Sequence, residues 1–293
     1  MRVAVSGATG FVGRHVVAEL ERCGIETVLL LRAPAPALVP QQRTARGILR
    51  VDVEESGADV FEAAGRPDVL IHLAWGGLPN YRSLHHFEQQ TVAHYRWLKN
   101  LLNAGLTRLL VAGTCFEYGM LSGPLNEAMR TRPATPYGFA KDMLRRQLEW
   151  LAAERPFSLT WARLFYMHGD GQSSGSLLPQ LRAAVERGDE VFPMSGGEQL
   201  RDYLPVSEVA RLLVLLAGGS GHGVVNVSSG RPISVRRLVE DWILKHGWSI
   251  RPDYGRYPYP DHEPMAFWGD RTKLDRCLGA INSSPSGNPF QRP

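Results

Sequence analysis

The sequence predicts an α/β protein built on a parallel β-sheet with helices on both faces. Three observations point there: short apolar, β-rich runs recur through the first half, helical patterns separate them, and the first run ends in glycines. "RVAVSG" (2–7) reads as a buried strand, followed by a helix over about 11–23. "TVLLLR" (27–32), "DVLIHLA" (68–74) and "RLLVAGT" (108–114) are the next strands. Between the last two, "FEQQTVAHYRWLKNLLNAG" has helical spacing and a stop signal at Gly105. "AKDMLRRQLEWLAAER" (140–155) is a further helix and "SLTWARL" (158–164) a further strand.

After Arg163 the pattern changes. "HGDGQSSGS" (168–176) is loop-like and "LLPQLRAAVERGD" a short helix. "DYLPVSEVARLLVLLAG" (202–218) and "VVNVSSGRPISVRRLVEDWILKHG" (224–247) each read as strand then helix. The end, "NSSPSGNPFQRP" (282–293), is polar and rich in Pro and Gly, which predicts a disordered tail. No internal repeat is visible.

The composition, 44% hydrophobic and 21% charged over 293 residues, suits a globular protein of one large or two unequal domains. A net charge of +4 with no Lys/Arg run argues against nucleic-acid binding. Cys23, Cys115 and Cys277 are isolated, without CxxC spacing, so neither a disulfide framework nor a zinc site is expected and no metal is called. The longest apolar run, "LLVLLA" (212–217), is too short to span a bilayer, and no leader pattern precedes the first strand. These readings predict a reducing, cytoplasmic setting.

"GATGFVG" puts Gly7, Thr9, Gly10, Phe11, Val12 and Gly13 between a strand and a helix mouth. Glycine permits a tight turn and close backbone approach to a pyrophosphate, while the helix N-terminus offers free N–H groups. In this context the loop predicts a Rossmann-like, doubly wound dinucleotide fold. At the end of the second strand stands Arg32 with no acidic residue nearby. An arginine there suits a 2′-phosphate and favours NADP over NAD; a solvated strand-end arginine is the alternative.

"TPYGFAK" holds Tyr137 and Lys141 four apart at the start of a helix, on one face. A lysine near a phenol stabilises the phenolate, and such a tyrosine exchanges protons with a carbonyl or alcohol oxygen. Thr114, at a strand end, offers a hydroxyl to the same oxygen.

Together these motifs resemble the extended short-chain dehydrogenase/reductase family, in its nucleotide-sugar epimerase, dehydratase and reductase branch. The resemblance covers residues 1 to about 280. It rests on "GATGFVG", "DV" at 52–53, "HLAW" at 72–75, "GTCFEYG", "TPYGFAK", "RLFYMHGDGQ", "RDYLPVSEVA" and "VVNVSSGRPISV". It implies a catalytic trio of Thr114, Tyr137 and Lys141, the last two also meeting the cofactor. It places Asp52 and Val53 beside the adenine, and Leu73, Ala74 and Trp75 along the cofactor. It further implies a dinucleotide-binding domain over 1–165, with 202–226 returning to it. A smaller C-terminal substrate-binding domain would comprise 166–201 and 227–281. Thr114, Cys115, Tyr166 and Arg201 would meet the substrate, Arg201 at the diphosphate of a nucleotide sugar or, alternatively, in an ordinary ion pair. Tyr166 and His168 stand where the family more often has Asn and Tyr.

Dehydratases of this branch carry Asp-Glu after the threonine; here Cys115 and Phe116 stand there, which argues against dehydration. Glu117 is expected to pair with backbone or an arginine, and Cys115 to be a small buried hydrophobe or an acid/base group. The remaining expectation is an NADPH-dependent reductase of a nucleotide-linked 4-keto-6-deoxyhexose. The alternatives are an NAD-dependent 4-epimerase and a non-catalytic NADP sensor. Helices over about 84–104 and 138–155 match those that pair in family dimers. Trp97, Leu98, Leu101, Leu148 and Leu151 would either form a shared bundle in a homodimer or face their own sheet.

Overall fold

The computed structural model describes residues 1–32, 47–54, 57 and 59–282, so the tail expected to be disordered lies, beyond 282, outside the described residues. In chain order the strands are β1 (Arg2–Ser6), β2 (Glu26–Leu31), β3 (Gly47–Arg50), β4 (Val69–His72), β5 (Arg108–Thr114), β6 (Gly123–Leu125) and β7 (Ser158–Leu164). They continue with β8 (Tyr166–His168), β9 (Val191–Pro193), β10 (Leu200–Pro205), β11 (Gly223–Val227), β12 (Pro232–Ser234), β13 (Arg251–Asp253) and β14 (Phe267–Gly269). The helices are α1 (Phe11–Arg22), α2 (Val60–Ala63), α3 (Thr91–Ala104), α4 (Pro136–Glu154), α5 (Leu177–Glu186), α6 (Val206–Gly218), α7 (Val235–His246) and α8 (Thr272–Asn282).

Seven strands form one sheet in the order β11-β7-β5-β4-β1-β2-β3, every neighbouring pair parallel. The strands read as nearly continuous apolar runs because both sheet faces are buried. Their two-residue period divides the side chains between two cores. Val3, Val5, Leu29 and Leu31 face α1 and α6, with Val16, Leu20, Leu212 and Leu213. Ala4, Val28 and Leu30 face the opposite layer, with Phe61, Trp97, Leu98 and Leu144. Trp97, Leu98, Leu101, Leu148 and Leu151 are all buried in this second core, so they face their own sheet and are not free for a shared bundle.

β1 is an interior strand, between β4 and β2. The chain winds outward through β2 and β3, then returns to β4 on the other side of β1. Such a reversal opens a crevice at the carboxyl ends of the strands, where this fold class binds ligands. Ser6 pairs level with His72, so the glycine loop and residues 73–75 leave the sheet side by side. α6 packs on α1, and β11 extends the main sheet beside β7.

A smaller core joins α5 and α7 through Leu178, Leu181, Phe192, Val239 and Trp242. Around it lie the three-stranded sheet β12-β10-β8 and the pair β13-β9, while β14 pairs with β6. The expected long helix over 84–104 begins instead as a π-helical turn at His86–Gln90 and becomes α-helical at α3. β10 starts at Leu200 and joins the small sheet.

Candidate active site at the sheet switch point

Gly7 takes φ +72, and a Cβ there would come within 2.6 Å of the Ala74 amide nitrogen. A Cβ on Gly13 would drive into the Gly7 carbonyl. The loop therefore tolerates no side chain at either place, and α1 closes tightly on β1. Gly10 caps α1 without any side-chain hydrogen bond, so the first-turn N–H groups of Phe11 and Val12 point out of the helix mouth. Thr9 follows the turn, its carbonyl accepting from Arg14 at 3.4 Å. This cradle fits the diphosphate of a dinucleotide on its own geometry. Arg32 is exposed at the end of β2 and has no ion-pair partner among the described residues. Asp52 accepts from the Glu54 amide at 2.9 Å, bracketing Val53 in a turn beyond β3.

Under the cradle runs a buried polar chain that the sequence reading missed. Ser6 Oγ meets His72 Nδ1 at 2.7 Å, His72 Nε2 meets His94 Nδ1 at 2.7 Å, and His94 Nε2 meets Gln90 Oε1 at 3.2 Å. Gln90 Oε1 also accepts from the Gly76 amide at 2.8 Å. Burial pulls His94 down to about 3 and His72 well below the usual histidine value, so both rings are neutral near pH 7. Trp75 stacks on His94 at 4.7 Å between ring centroids and donates its indole N–H to His86 Nδ1 at 3.1 Å. Since Nδ1 accepts, His86 Nε2 carries the proton and donates to the Asn80 carbonyl at 2.8 Å. Leu73 donates its N–H to Ser6 O at 3.1 Å, and Ala74 backs Gly7.

The trio meets at the ends of β5 and α4. Thr135 caps α4, accepting from the Gly138 amide at 3.1 Å, with Pro136 in the first turn; this places Tyr137 and Lys141 on the buried face. Thr114 ends β5 and caps a single 3-10 turn, Cys115–Tyr118. Its hydroxyl oxygen accepts from the Phe116 amide at 3.3 Å, which leaves its proton to donate. Glu117 completes the turn. One of its oxygens accepts from Thr114 N at 2.9 Å and Trp161 Nε1 at 2.8 Å, the other from Arg163 Nε at 2.7 Å. Glu117 thus has the backbone and arginine partners expected of it.

Lys141 donates to the Ala112 carbonyl at 2.9 Å and lies 3.9 Å from the centre of the Trp75 ring. Burial lowers it to about 7, with the Glu117 charge opposing. Burial also pushes the Tyr137 phenol up, helped by Tyr81, Glu117 and Cys115 and opposed by the Thr114 hydroxyl. Burial therefore outweighs whatever lowering Lys141, itself engaged by Ala112 and Trp75, exerts on the Tyr137 phenol. Near neutral pH Tyr137 is a protonated donor. Cys115 is buried and its thiol is pushed up by burial first and the Glu263 charge second, which makes it a small hydrophobe and not an acid/base group.

Across the crevice, Arg201 forms a fork on Glu263 Oε2, at 3.1 and 2.9 Å. It also donates to the Leu200 and Met265 carbonyls and lies over Phe267 at 4.6 Å. Of the two readings of Arg201, the structure shows an ion pair, with Glu263 and not with Asp202, which instead accepts from the amides of Ser229 and Gly230. Tyr166 packs on Tyr203 and Phe267, its phenol pushed well up by burial. His168 packs edge-on against Trp242 in the smaller core. Tyr81, His262 and Glu263 join this wall although no local sequence signal marks them. Every sequence-predicted residue except Arg32, Asp52 and Val53 thus stands at the switch point or its facing wall.

No group of His, Cys, Asp and Glu among the described residues is arranged to hold a metal ion, and no helix among them is long and apolar enough to cross a membrane. The chain is 30% identical to the dTDP-6-deoxy-L-talose 4-dehydrogenase (NAD(+)) of Aggregatibacter actinomycetemcomitans, over 92% of this chain and 99% of that protein. It is 25% identical to the UDP-glucose 4-epimerase of Erwinia amylovora, over 95% and 92% of the two chains. Among solved structures, MoeE5 in complex with UDP-glucuronic acid and NAD superposes with a TM-score of 0.80, at 30% identity, over 95% and 93% of the two chains. Residues 3–228 match the NAD dependent epimerase/dehydratase family, and the chain belongs to that family of NAD(P)-dependent enzymes acting on nucleotide sugars.

Proposed function

We propose that the protein reduces the 4-keto group of a nucleotide-activated 4-keto-6-deoxyhexose, yielding a deoxysugar donor. The observation that carries this reading is the Tyr137 phenol beside the Thr114 hydroxyl, with only Cys115 and Phe116 where an elimination would need carboxylates. Gly7–Gly13 would hold the diphosphate of the dinucleotide and Leu73–Trp75 would line its path, and the nicotinamide would supply the hydride when bound. Thr114 and Tyr137 donate hydrogen bonds to the carbonyl oxygen, and Tyr137 gives it a proton as it becomes an alkoxide. Lys141 holds positive charge beside the phenolate that remains. Cys115, Phe267 and Tyr166 wall the crevice without charge, which suits a methyl at carbon 6. Arg201, whose fork is already matched to a planar anion, takes the diphosphate.

A dehydrogenase acting at carbon 4 of a dTDP-6-deoxyhexose stands among the relatives, which supports redox chemistry at that position. Arg32 supports NADPH, whereas that relative and MoeE5 are named with NAD, so the assay takes both cofactors. The exposed apolar residues Val92, Phe139 and Trp150 on α3 and α4 supply the face for a homodimer.

Purified protein given NADPH or NADH and dTDP-4-keto-6-deoxyglucose should consume the cofactor stoichiometrically. Tyr137→Phe should lower kcat by at least about a hundredfold. Sugar interconversion without net cofactor use would replace this reading with epimerisation.

A further inference from the structure

Tyr81 belongs to neither the trio nor the cofactor cradle, yet it stands against the reacting centre. It lies in the connection from β4 to the His86 turn, its carbonyl accepting from the Tyr137 amide at 3.1 Å. Its ring is 5.5 Å from Tyr137 and 5.0 Å from Phe116, and Phe116 is in turn 6.2 Å from His262. The next residue, Arg82, pairs with Asp261, which joins this connection to the segment that carries His262 and Glu263. Tyr81 is thereby fixed against Tyr137, within electrostatic reach of Cys115 and Glu263. Its phenol has no hydrogen-bond partner among the described residues. Burial, Cys115 and the Glu263 charge push that phenol up, so it remains a donor wherever the enzyme works.

We propose that Tyr81 is a second substrate-binding phenol, donating a hydrogen bond to the sugar oxygen beside the one that Tyr137 protonates. This rests on the 4-keto-6-deoxyhexose reading above. A carbonyl at carbon 4 has two neighbours, and carbon 5 carries the methyl and the ring ether oxygen, a weak acceptor; the hydroxyl within reach is therefore the one on C3. The two phenols divide the work by environment. Tyr137, with Thr114 and Lys141, transfers the proton, while Tyr81, beside Glu263, stays neutral and selects substrates that bear the hydroxyl.

The test compares wild type with Tyr81→Phe, which keeps the ring and its contacts with Phe116 and Tyr137. With dTDP-4-keto-6-deoxyglucose, kcat/KM should fall about ten- to a hundredfold, chiefly through KM. With the 3-deoxy counterpart the two proteins should be equal, and inhibition by dTDP should not change. Equal kcat/KM on the hydroxylated sugar would overturn the proposal, as would loss of dTDP inhibition, which marks a structural role. If the wild type turns over no keto sugar, the proposed function fails, and binding of dTDP-glucose decides for Tyr81. A tenfold weaker affinity in Tyr81→Phe then supports the contact, and equal affinity rejects it.

Discussion

Glu117–Arg163 and Glu263–Arg201 are both arginine–glutamate pairs whose glutamates act on Cys115, one from the sheet and one from the facing wall. Their surroundings differ. The side chains of the first pair are 0% and 2% exposed, and Glu117 spends both oxygens on three fixed donors. In the second, Glu263 keeps 12% exposure and reaches the fork through one oxygen, while Arg201 has two carbonyl acceptors in reserve. The first pair is a closed fixture that shapes the Thr114 turn. The second keeps a path to solvent and further acceptors for its guanidinium. A buried ion pair alone therefore says little about function; the number of remaining acceptors and the route to solvent separate structural from binding roles.

Three substitutions sharpen that contrast. The largest effect is expected for Glu117→Gln, which strands the Arg163 guanidinium and costs about 3–5 kcal/mol in urea unfolding. A loss under 1 kcal/mol would show that the sheet-side pair is no more fixed than the other.

Lys141→Met comes next, because Glu117 is the charge that opposes the lysine's discharge. Turnover should vanish while stability at pH 7 rises by about 1–4 kcal/mol. The sign follows from linkage: Lys141 is lowered from 10.5 to about 7 in the fold, so between those values the unfolded chain binds more protons. Wild-type stability therefore climbs through that window, and the advantage of the methionine variant should shrink as pH rises across it. An advantage independent of pH would remove the buried charge as its cause.

Glu263→Gln should have the smallest effect on stability, about 1 kcal/mol, since Arg201 retains its carbonyl partners. Freed of its carboxylate, Arg201 should bind dTDP several-fold more tightly by calorimetry. Unchanged affinity would detach Arg201 from the diphosphate.

Much of the fold was legible locally. The glycine loop, the capped TPYGFAK helix start and the apolar strands carry their signals within a few neighbouring residues, where turn, cap and periodicity rules operate. Short strands such as β3, β8 and β14 carry no such period, and the sequence left them unplaced. Thr114, Tyr137 and Lys141 were named from type and spacing, but their electrostatics were not: burial, which no local pattern records, is the largest influence on both the phenol and the lysine.

What the sequence determined by itself was the α/β class, the glycine turn, the candidate trio and the absence of carboxylates at the two positions after Thr114, because each is written in residue type and short-range spacing. Only the tertiary structure decided that Glu117 is tied to Arg163, 46 residues away, that Arg201 is matched to Glu263 at a separation of 62, and that Tyr81 faces Tyr137. Those contacts join segments whose patterns are independent of one another. Packing around the crevice, and the loss of water that comes with it, sets both their geometry and their protonation.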